Sequence, residues 1–273
     1  MRNMPSIGSQ SPLGVFDVAI IGAGAAGLVA AAKLHAVGRK IVIIEARDRI
    51  GGRIWTDLPS PDRDRFELGA EFVHGLQETT CQLLTEAGLE TGEAADSRLL
   101  HERGTLRPLP DFWEIVEKIH GQIVPEPEMT YEEFLDRATG SEFEKKITRS
   151  LVEGMNAARA GIISARAIAD ADRAAELVEG HRLFRVCKGY GALAEWLASR
   201  IPAERLRLNT AVRQVKWRPG HLEIIGASND QRFEAEKLIV TVPLGVLKGG
   251  DIAFEPNSTT KKPRSPTSTW DKW

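Results

Sequence analysis

With 273 residues, 42% of them hydrophobic and 27% charged, the chain has room for one large or two medium domains and the composition of a globular protein. A net charge of −2 excludes the electropositive footprint of a nucleic-acid binder. Two cysteines far apart in sequence, Cys81 and Cys187, exclude a disulfide framework and a cysteine-rich metal centre, so no metal is expected.

The leader, MRNMPSIGSQSPLG, has one arginine and no apolar core, so residues 1–14 are expected to form a disordered arm and not a secretion signal. No apolar run approaches the roughly 20 residues that cross a bilayer. The expectation is a cytoplasmic protein with no membrane partner.

From Val15 to Ile21 the chain is apolar apart from Asp17, which predicts a buried parallel strand. Ala25 to Val37 predicts an alanine-rich helix ended by Gly38, and Arg39 to Glu45 a second buried strand. The middle, from about Thr79 to Arg200, is expected to be mostly helical. Asp111 is expected to cap a helix carrying Phe112, Ile115, Val116 and Ile119 on one side; Thr130 and Glu133 have capping-box spacing; and Phe143, Ile147, Leu151 and Met155 recur every four residues. Gly191 to Ile201 predicts another helix, stopped by Pro202. After Ala203 the period becomes two, and RLRLNTAVRQVKW, HLEII and KLIVTVP predict a three-stranded meander turning at Pro219-Gly220.

The first strand, helix and second strand form a β-α-β unit with Gly22, Gly24 and Gly27 between strand and helix, in the pattern G-x-G-x-x-G. Each glycine answers a different need. Gly22 permits the tight turn, Gly24 leaves room for a pyrophosphate, and Gly27 lets the helix pack closely on the strand. The amides opening the helix, at Ala25 and Ala26, face the phosphates with the positive end of the helix dipole. Glu45, 23 residues after Gly22, can accept hydrogen bonds from ribose hydroxyls and would repel a 2′-phosphate. This predicts a dinucleotide with an unphosphorylated ribose, and leaves NAD and FAD both open. Past Glu45 and Ala46, Arg47 and Arg53 can offset pyrophosphate charge, and Gly51-Gly52 lets backbone approach a ligand.

EARDRIGGRIWT (45–56) after this unit resembles the flavin-containing amine oxidases, the group that includes monoamine and polyamine oxidases. ELGAEFVHG (67–75), KGYGALAEWLA (188–198, with Lys188 where the family has glycine), LRLNTAVRQV (206–215) and LIVTVPLGVLKGGDIAFEP (238–256) continue the resemblance in the family's order. It implies an α/β fold: an FAD-binding Rossmann-like, two-segment dinucleotide-binding domain carrying a mostly helical substrate-domain insertion. Residues 15–78 would be the first FAD-binding segment, 79–204 the insertion, and 205–256 the β-meander segment. It further implies FAD as cofactor, with Gly69, Ala70, Glu71 and Phe72 beside the flavin ring and Val212 at the adenine. The implied reaction is oxidation of a C–N bond of a primary, secondary or polyamine, with oxygen as electron acceptor and hydrogen peroxide as product.

The family's catalytic lysine lies beyond the part matching Pro256 and is not carried onto Lys248, so the catalytic residues stay unknown. His74 reads either as a structural histidine or as a substrate-side residue. Residues 257–273, rich in Ser, Thr, Pro and Lys, are expected to be a disordered tail outside the family pattern. The same comparison predicts C-terminal truncation, by frameshift or early termination, and impaired turnover. Two alternatives share the first glycine loop or the fold: a desaturase or protoporphyrinogen oxidase-like enzyme, and a non-catalytic flavin-binding fragment that pairs with another chain.

Overall fold

The structure is a computed structural model that describes residues 14–57, 65–228 and 231–256. The expected disordered tail, and the leader as far as residue 13, lie outside the described residues.

The chain opens with β1 (Phe16–Ile21), α1 (Ala25–Ala36) and β2 (Ile41–Ile44), then the two-residue strands β3 (Thr56–Asp57), β4 (Phe66–Glu67) and β5 (Val73–His74). Next come α2 (Glu78–Glu86), β6 (Thr91–Ala94), β7 (Leu99–Glu102) and β8 (Thr105–Pro108). Four helices follow, α3 (Phe112–His120), α4 (Tyr131–Arg137), α5 (Glu142–Asn156) and α6 (Ala165–Glu176), and then β9 (Leu183–Val186). The last part holds α7 (Gly191–Ser199), β10 (Leu206–Arg207), β11 (Val212–Arg218), β12 (His221–Gly226), β13 (Arg232–Val240), α8 (Leu244–Gly249) and β14 (Ala253–Glu255). The described residues fall into two compact units. One holds the chain up to Glu71, Leu83–Glu90 and the chain from Val186 on; the other holds Phe72–Gln82 and Thr91–Arg185.

The first unit is built on a seven-stranded sheet in the order β10-β2-β1-β13-β12-β11-β14. The strands β10, β2, β1 and β13 run parallel, and β11, β12 and β13 form an antiparallel meander. Parallel strands are covered on both faces, which is why β2 reads IVII with every residue buried. Ala19, Ile21, Val42 and Ile44 share one core cluster with Val212, Val215, Leu222, Ile224 and Phe233 of the meander. On α1, Gly27, Leu28, Ala31 and Ala32 form the buried face. Consecutive strands diverge at β1: the crossover through α1 leads to β2 on one side, while β13 arrives on the other. The carboxyl ends of β1 and β13 therefore flank a topological switch point, where open α/β sheets leave a crevice.

The second unit packs Ile119 of α3, Tyr131, Phe134 and Leu135 of α4, Val152 of α5 and Ile168 of α6 into one core. The Thr130–Glu133 capping box forms as its spacing predicts, and a second one, Ser141–Glu144, starts α5. Asp111 stands before α3 without a side-chain cap. Two expectations for this region need correction. The stripe Phe143, Ile147, Leu151, Met155 is not the buried face of α5, since Phe143 is 42% and Met155 64% exposed. The buried positions are Thr148 and Val152, and Thr148 tolerates burial because its hydroxyl donates back to the carbonyls of Glu144 and Lys145. The mostly helical region also contains strands. Strands β5, β9 and β6 form a small sheet, and β7 and β8 a hairpin turning through Arg103 and Gly104, both at positive φ. That hairpin is largely solvent-exposed, so no buried face imposes an alternating apolar pattern on it.

Candidate functional site

The glycines between β1 and α1 are held for different reasons. Gly22 sits at φ +105°, and a Cβ there would meet the Thr241 hydroxyl at 2.7 Å. At Gly27 a Cβ would lie 1.9 Å from the Gly22 carbonyl oxygen, so the helix approaches the strand as closely as backbone allows. Gly24 differs from both. Its φ is −74°, which any residue adopts, and a Cβ there would meet nothing nearer than Gly52 Cα at 3.9 Å. Among the described residues no atom demands glycine at this position. The absent side chain leaves open space at the start of α1, which has no side-chain cap and no acidic residue in its first turn. The N–H groups of Ala25 and Ala26 stand at this end, as an anion site requires.

Glu45 follows β2 and is buried. Its Oε2 accepts from the Ala23 N–H at 2.7 Å and its Oε1 from the Arg47 N–H at 3.0 Å. Each carboxylate oxygen retains a lone pair for a ribose hydroxyl. The residue thus ties the glycine loop to the end of β2 while still presenting acceptors. Its backbone is fixed as well: the Glu45 N–H donates to Arg207 O, and the Thr210 N–H donates to Glu45 O, both at 2.8 Å. Two residues after Thr210, Val212 starts β11 with its side chain in the core.

The segment after Ala46 folds back on the glycine loop. The Gly51 N–H donates to Ala23 O at 2.8 Å, and Gly24 and Gly51 form an isolated parallel bridge. Both Gly51 and Gly52 have positive φ, and a Cβ on Gly52 would approach Gly24 Cα to 3.2 Å. The three arginines part company here. Arg49 lies 4.4 Å over the Trp55 ring and donates to the carbonyls of Ile50 and Ile54. Arg47 donates to Gly52 O at 3.4 Å, and Arg53 is exposed. The Ala70 N–H donates to Arg53 O, and Gly69 packs so tightly that a Cβ would lie 2.0 Å from that same oxygen. Arg47, Arg53, Trp55, Leu68, Gly69 and Ala70 line a cavity of about 690 Å³. An apolar cavity of about 670 Å³, walled by Leu34, Trp217, Leu222 and Leu238, lies toward the opposite end of α1 from the glycine loop.

Glu67 and Thr56 act as a brace that the motifs alone do not mark. The Glu67 carboxylate accepts from the Thr56 hydroxyl and the Tyr190 N–H, and Thr56 Oγ1 accepts from the Gly191 N–H. These bonds fasten the KGYG segment to strands β3 and β4. Thr241 is a second such residue: its hydroxyl donates to the carbonyls of Ile21 and Gly22, locking β13 to the start of the glycine loop. A single threonine after a strand carries no sequence signal for this. Thus Gly22, Gly24, Ala25, Ala26, Gly27, Glu45, Ala46, Arg47, Gly51, Gly52, Arg53, Gly69, Ala70, Glu71 and Val212 all belong to the first unit. Phe72 and His74 belong to the second, where the two rings meet edge to face and the Arg185 guanidinium lies 4.9 Å over Phe72. His74 is exposed and pairs with Leu183 in the small sheet.

Against known families, the model of flavin containing amine oxidoreductases matches residues 25–162 and 153–270. The chain belongs to that family. Members are FAD-dependent oxidoreductases with a Rossmann-like sheet, and membership makes FAD the cofactor. The matched span continues to residue 270, past Pro256, where the family resemblance was expected to end. Human lysine-specific histone demethylase 2 is 29% identical over 272 residues, covering 90% of this chain and 32% of that protein. Pig amine oxidase [flavin-containing] B is 25% identical over 276 residues, covering 88% of this chain and 52% of its own. A putrescine oxidase triple mutant, from a structure-based redesign of cofactor binding, superposes with a TM-score of 0.71 at 26% identity, covering 89% of this chain and 60% of that one. The chain thus spans about a third to three-fifths of the length of these relatives.

The residues of this chain fit the adenosine diphosphate part of FAD. The open space at Gly24 faces uncapped helix amides, the Glu45 carboxylate keeps free lone pairs, and Arg47 and Arg53 line the adjoining cavity.

Proposed function

We propose that this chain binds FAD across the first unit and belongs to an enzyme that oxidises the C–N bond of a small primary, secondary or polyamine. Gly24 carries the reading, because its lack of a side chain serves no contact among the described residues. In this proposal the amides of Ala25 and Ala26 and the guanidinium groups of Arg47 and Arg53 bind the pyrophosphate. Glu45 accepts from the ribose hydroxyls, and the Val212 backbone meets the adenine. Gly69 and Ala70, with Glu71 and Phe72 after them, flank the flavin ring, and His74 lies on the substrate side.

When bound, FAD supplies the two-electron acceptor for a hydride equivalent leaving the carbon next to nitrogen, and oxygen then carries the electrons away as hydrogen peroxide. The chain's share is placement. The fixed loops at Gly22–Gly24 and Gly51–Arg53 orient the cofactor, and the Arg49–Trp55 stack and the Glu67 brace hold the cavity walls. Putrescine oxidase and amine oxidase B among the relatives favour an amine over the carbon–carbon bonds oxidised by desaturases.

The test is a flavin spectrum of the purified chain, recorded anaerobically before and after adding candidate amines, with peroxide measured once oxygen is admitted. A yellow protein that an amine bleaches, with peroxide on reoxidation, supports the whole proposal. A yellow protein that no amine bleaches limits it to flavin binding, and a colourless protein that takes up no added FAD overturns it.

A further inference from the structure

Gly22 follows β1 with a reversal that a regular strand does not make. Its N–H donates to Ile44 O of β2 at 2.9 Å. In regular extended backbone the carbonyl of the same residue points to the same neighbouring strand. At φ +105° the chain turns instead, and the Gly22 carbonyl accepts the Thr241 hydroxyl at 3.1 Å, from the end of β13 on the other side of β1. The Ala23 N–H belongs to the same peptide and points the opposite way. It donates to Glu45 Oε2 at 2.7 Å, just past β2.

One peptide unit is therefore held at both ends, by side chains from the two strands that flank β1 at the switch point. Thr241 is itself fixed, since its N–H donates to Ile21 O at 2.9 Å and its hydroxyl reaches that oxygen as well. The glycines make room for it: a Cβ would come within 2.7 Å of the Thr241 hydroxyl oxygen from Gly22, and within 2.9 Å from Gly27. Among the described residues no other N–H or hydroxyl donates to Gly22 O. Every bond in this clamp is internal to the protein, so the loop is shaped before a ligand arrives. Preorganisation of this kind spares binding the cost of ordering the loop.

We propose that Thr241 is a positioning residue for the dinucleotide, acting through the Gly22–Ala23 peptide to aim the amides that open α1 without touching the ligand itself. The inference rests on FAD binding by this chain and adds a residue that lies outside both the glycine loop and the acid after β2. With the hydroxyl gone, the Gly22 carbonyl loses its donor and Glu45 alone restrains the peptide, so the backbone into Gly24 is freed to rotate.

FAD and ADP are titrated into the parent chain and into Thr241→Val, which keeps the branched shape and removes the hydroxyl. Loss of one neutral hydrogen bond is expected to weaken both ligands about fivefold. Thr241→Ser restores the donor without the methyl group and is expected to bind as the parent does. Amide hydrogen exchange of the ligand-free proteins gives a readout that a purely structural role would not move. In Thr241→Val exchange should quicken in peptides covering Gly22–Gly27 and stay unchanged in those covering β11 and β12.

Equal ADP affinity in parent and Thr241→Val overturns the inference and leaves FAD binding standing. Serine binding as weakly as valine also overturns it, since the effect would then come from packing. Exchange that quickens across the whole sheet does the same, by assigning the loss to folding. If the parent takes up neither FAD nor ADP, the inference and the flavin reading fall together. Should Thr241→Val melt at a markedly lower temperature, Thr241→Ser and Thr241→Ala decide, because they differ only in the hydroxyl. Serine should then bind ADP more tightly than alanine by the same factor, and equal binding by the two overturns the inference.

Discussion

Glu45 and Ala23, 22 residues apart, are joined by a 2.7 Å hydrogen bond from a loop amide to a buried carboxylate, while the other oxygen of the same carboxylate takes the Arg47 N–H. The acid that the sequence assigns to ribose recognition is thus also the fastening of the glycine loop. Glu45→Ala strips acceptors from two amides and is expected to cost about 1–3 kcal/mol of stability. Glu45→Gln retains one acceptor oxygen and turns an NH₂ group toward the second amide, so it too is destabilised, and both variants should lose FAD affinity. Urea unfolding alongside a flavin titration checks this. Unchanged stability in Glu45→Ala would show that the bond contributes nothing to holding the loop.

Gly24 and Gly27 separate binding from folding. Gly24→Ala meets no protein atom closer than 3.9 Å and keeps an ordinary φ, so its melting temperature is expected to stay near that of the parent while FAD binding falls at least tenfold. Gly27→Ala drives a methyl group to 1.9 Å from the Gly22 carbonyl oxygen. It is expected to lose at least the roughly 1–3 kcal/mol typical of overpacking, and to lose FAD with it. The two melting curves and two flavin titrations form one experiment. If Gly24→Ala binds FAD as the parent does, the open space beside it is not where the pyrophosphate lies.

How much of this was legible in the sequence follows from what each residue answers to. The strand-glycine-helix-strand start was, because Val18 to Ile21 and Ile41 to Ile44 are buried on both faces and Gly22 and Gly27 have no sterically allowed substitute. The meander was legible only in part, through alternation and the Pro219-Gly220 turn: RLRLNTAVRQVKW is not one meander strand, since Leu206–Arg207 pairs parallel with β2 at the other side of the sheet and only Val212–Arg218 joins the meander. The bracing by Thr56, Glu67 and Thr241 was not, since each acts across a long sequence separation through a hydrogen bond that local pattern cannot encode. The exposed hairpin at Leu99–Pro108 escaped because no core disciplines its pattern. The α5 stripe misled because period counts apolar side chains, whereas Thr148 is buried by satisfying its hydroxyl within its own helix.

The Ser141–Glu144 capping box gives the second unit an acid limit. The Lys118 ammonium beside Glu144, with the Ser141 N–H and hydroxyl, pulls that carboxyl from 4.5 down to about 2. A carboxyl whose pKa falls on folding adds stability that is complete above its unfolded value and is lost as pH falls from about 4.5 toward 2. Glu144→Gln should therefore be less stable than the parent at neutral pH, and the gap should close through that window. Urea midpoints at neutral pH and near pH 3 check it. A gap that stays constant would mean that Glu144 holds the cap without its charge.

At alkaline pH the limit is set by Tyr131, whose side chain is fully enclosed between α3, α4 and α5. Its hydroxyl lies 2.9 Å from His120 Nε2, and Asp172 of α6 takes the other ring nitrogen at 2.7 Å, so one polar chain ties α4, α3 and α6 together. Burial pushes the Tyr131 hydroxyl up to about 12. The unfolded phenol ionises near 10, so its contribution to stability is complete below that pH and is lost as pH rises from about 10 toward 12. Tyr131→Phe keeps the ring packing but leaves the His120 nitrogen without its partner, and is expected to cost about 1 kcal/mol at neutral pH. Phenylalanine has nothing to ionise, so the variant should not share that alkaline loss. Urea midpoints for both proteins at pH 7 and just above pH 10 should show the parent's advantage shrinking as pH rises. An advantage that persists undiminished above pH 11 would show that the phenol ionises as readily in the folded chain as in the unfolded one.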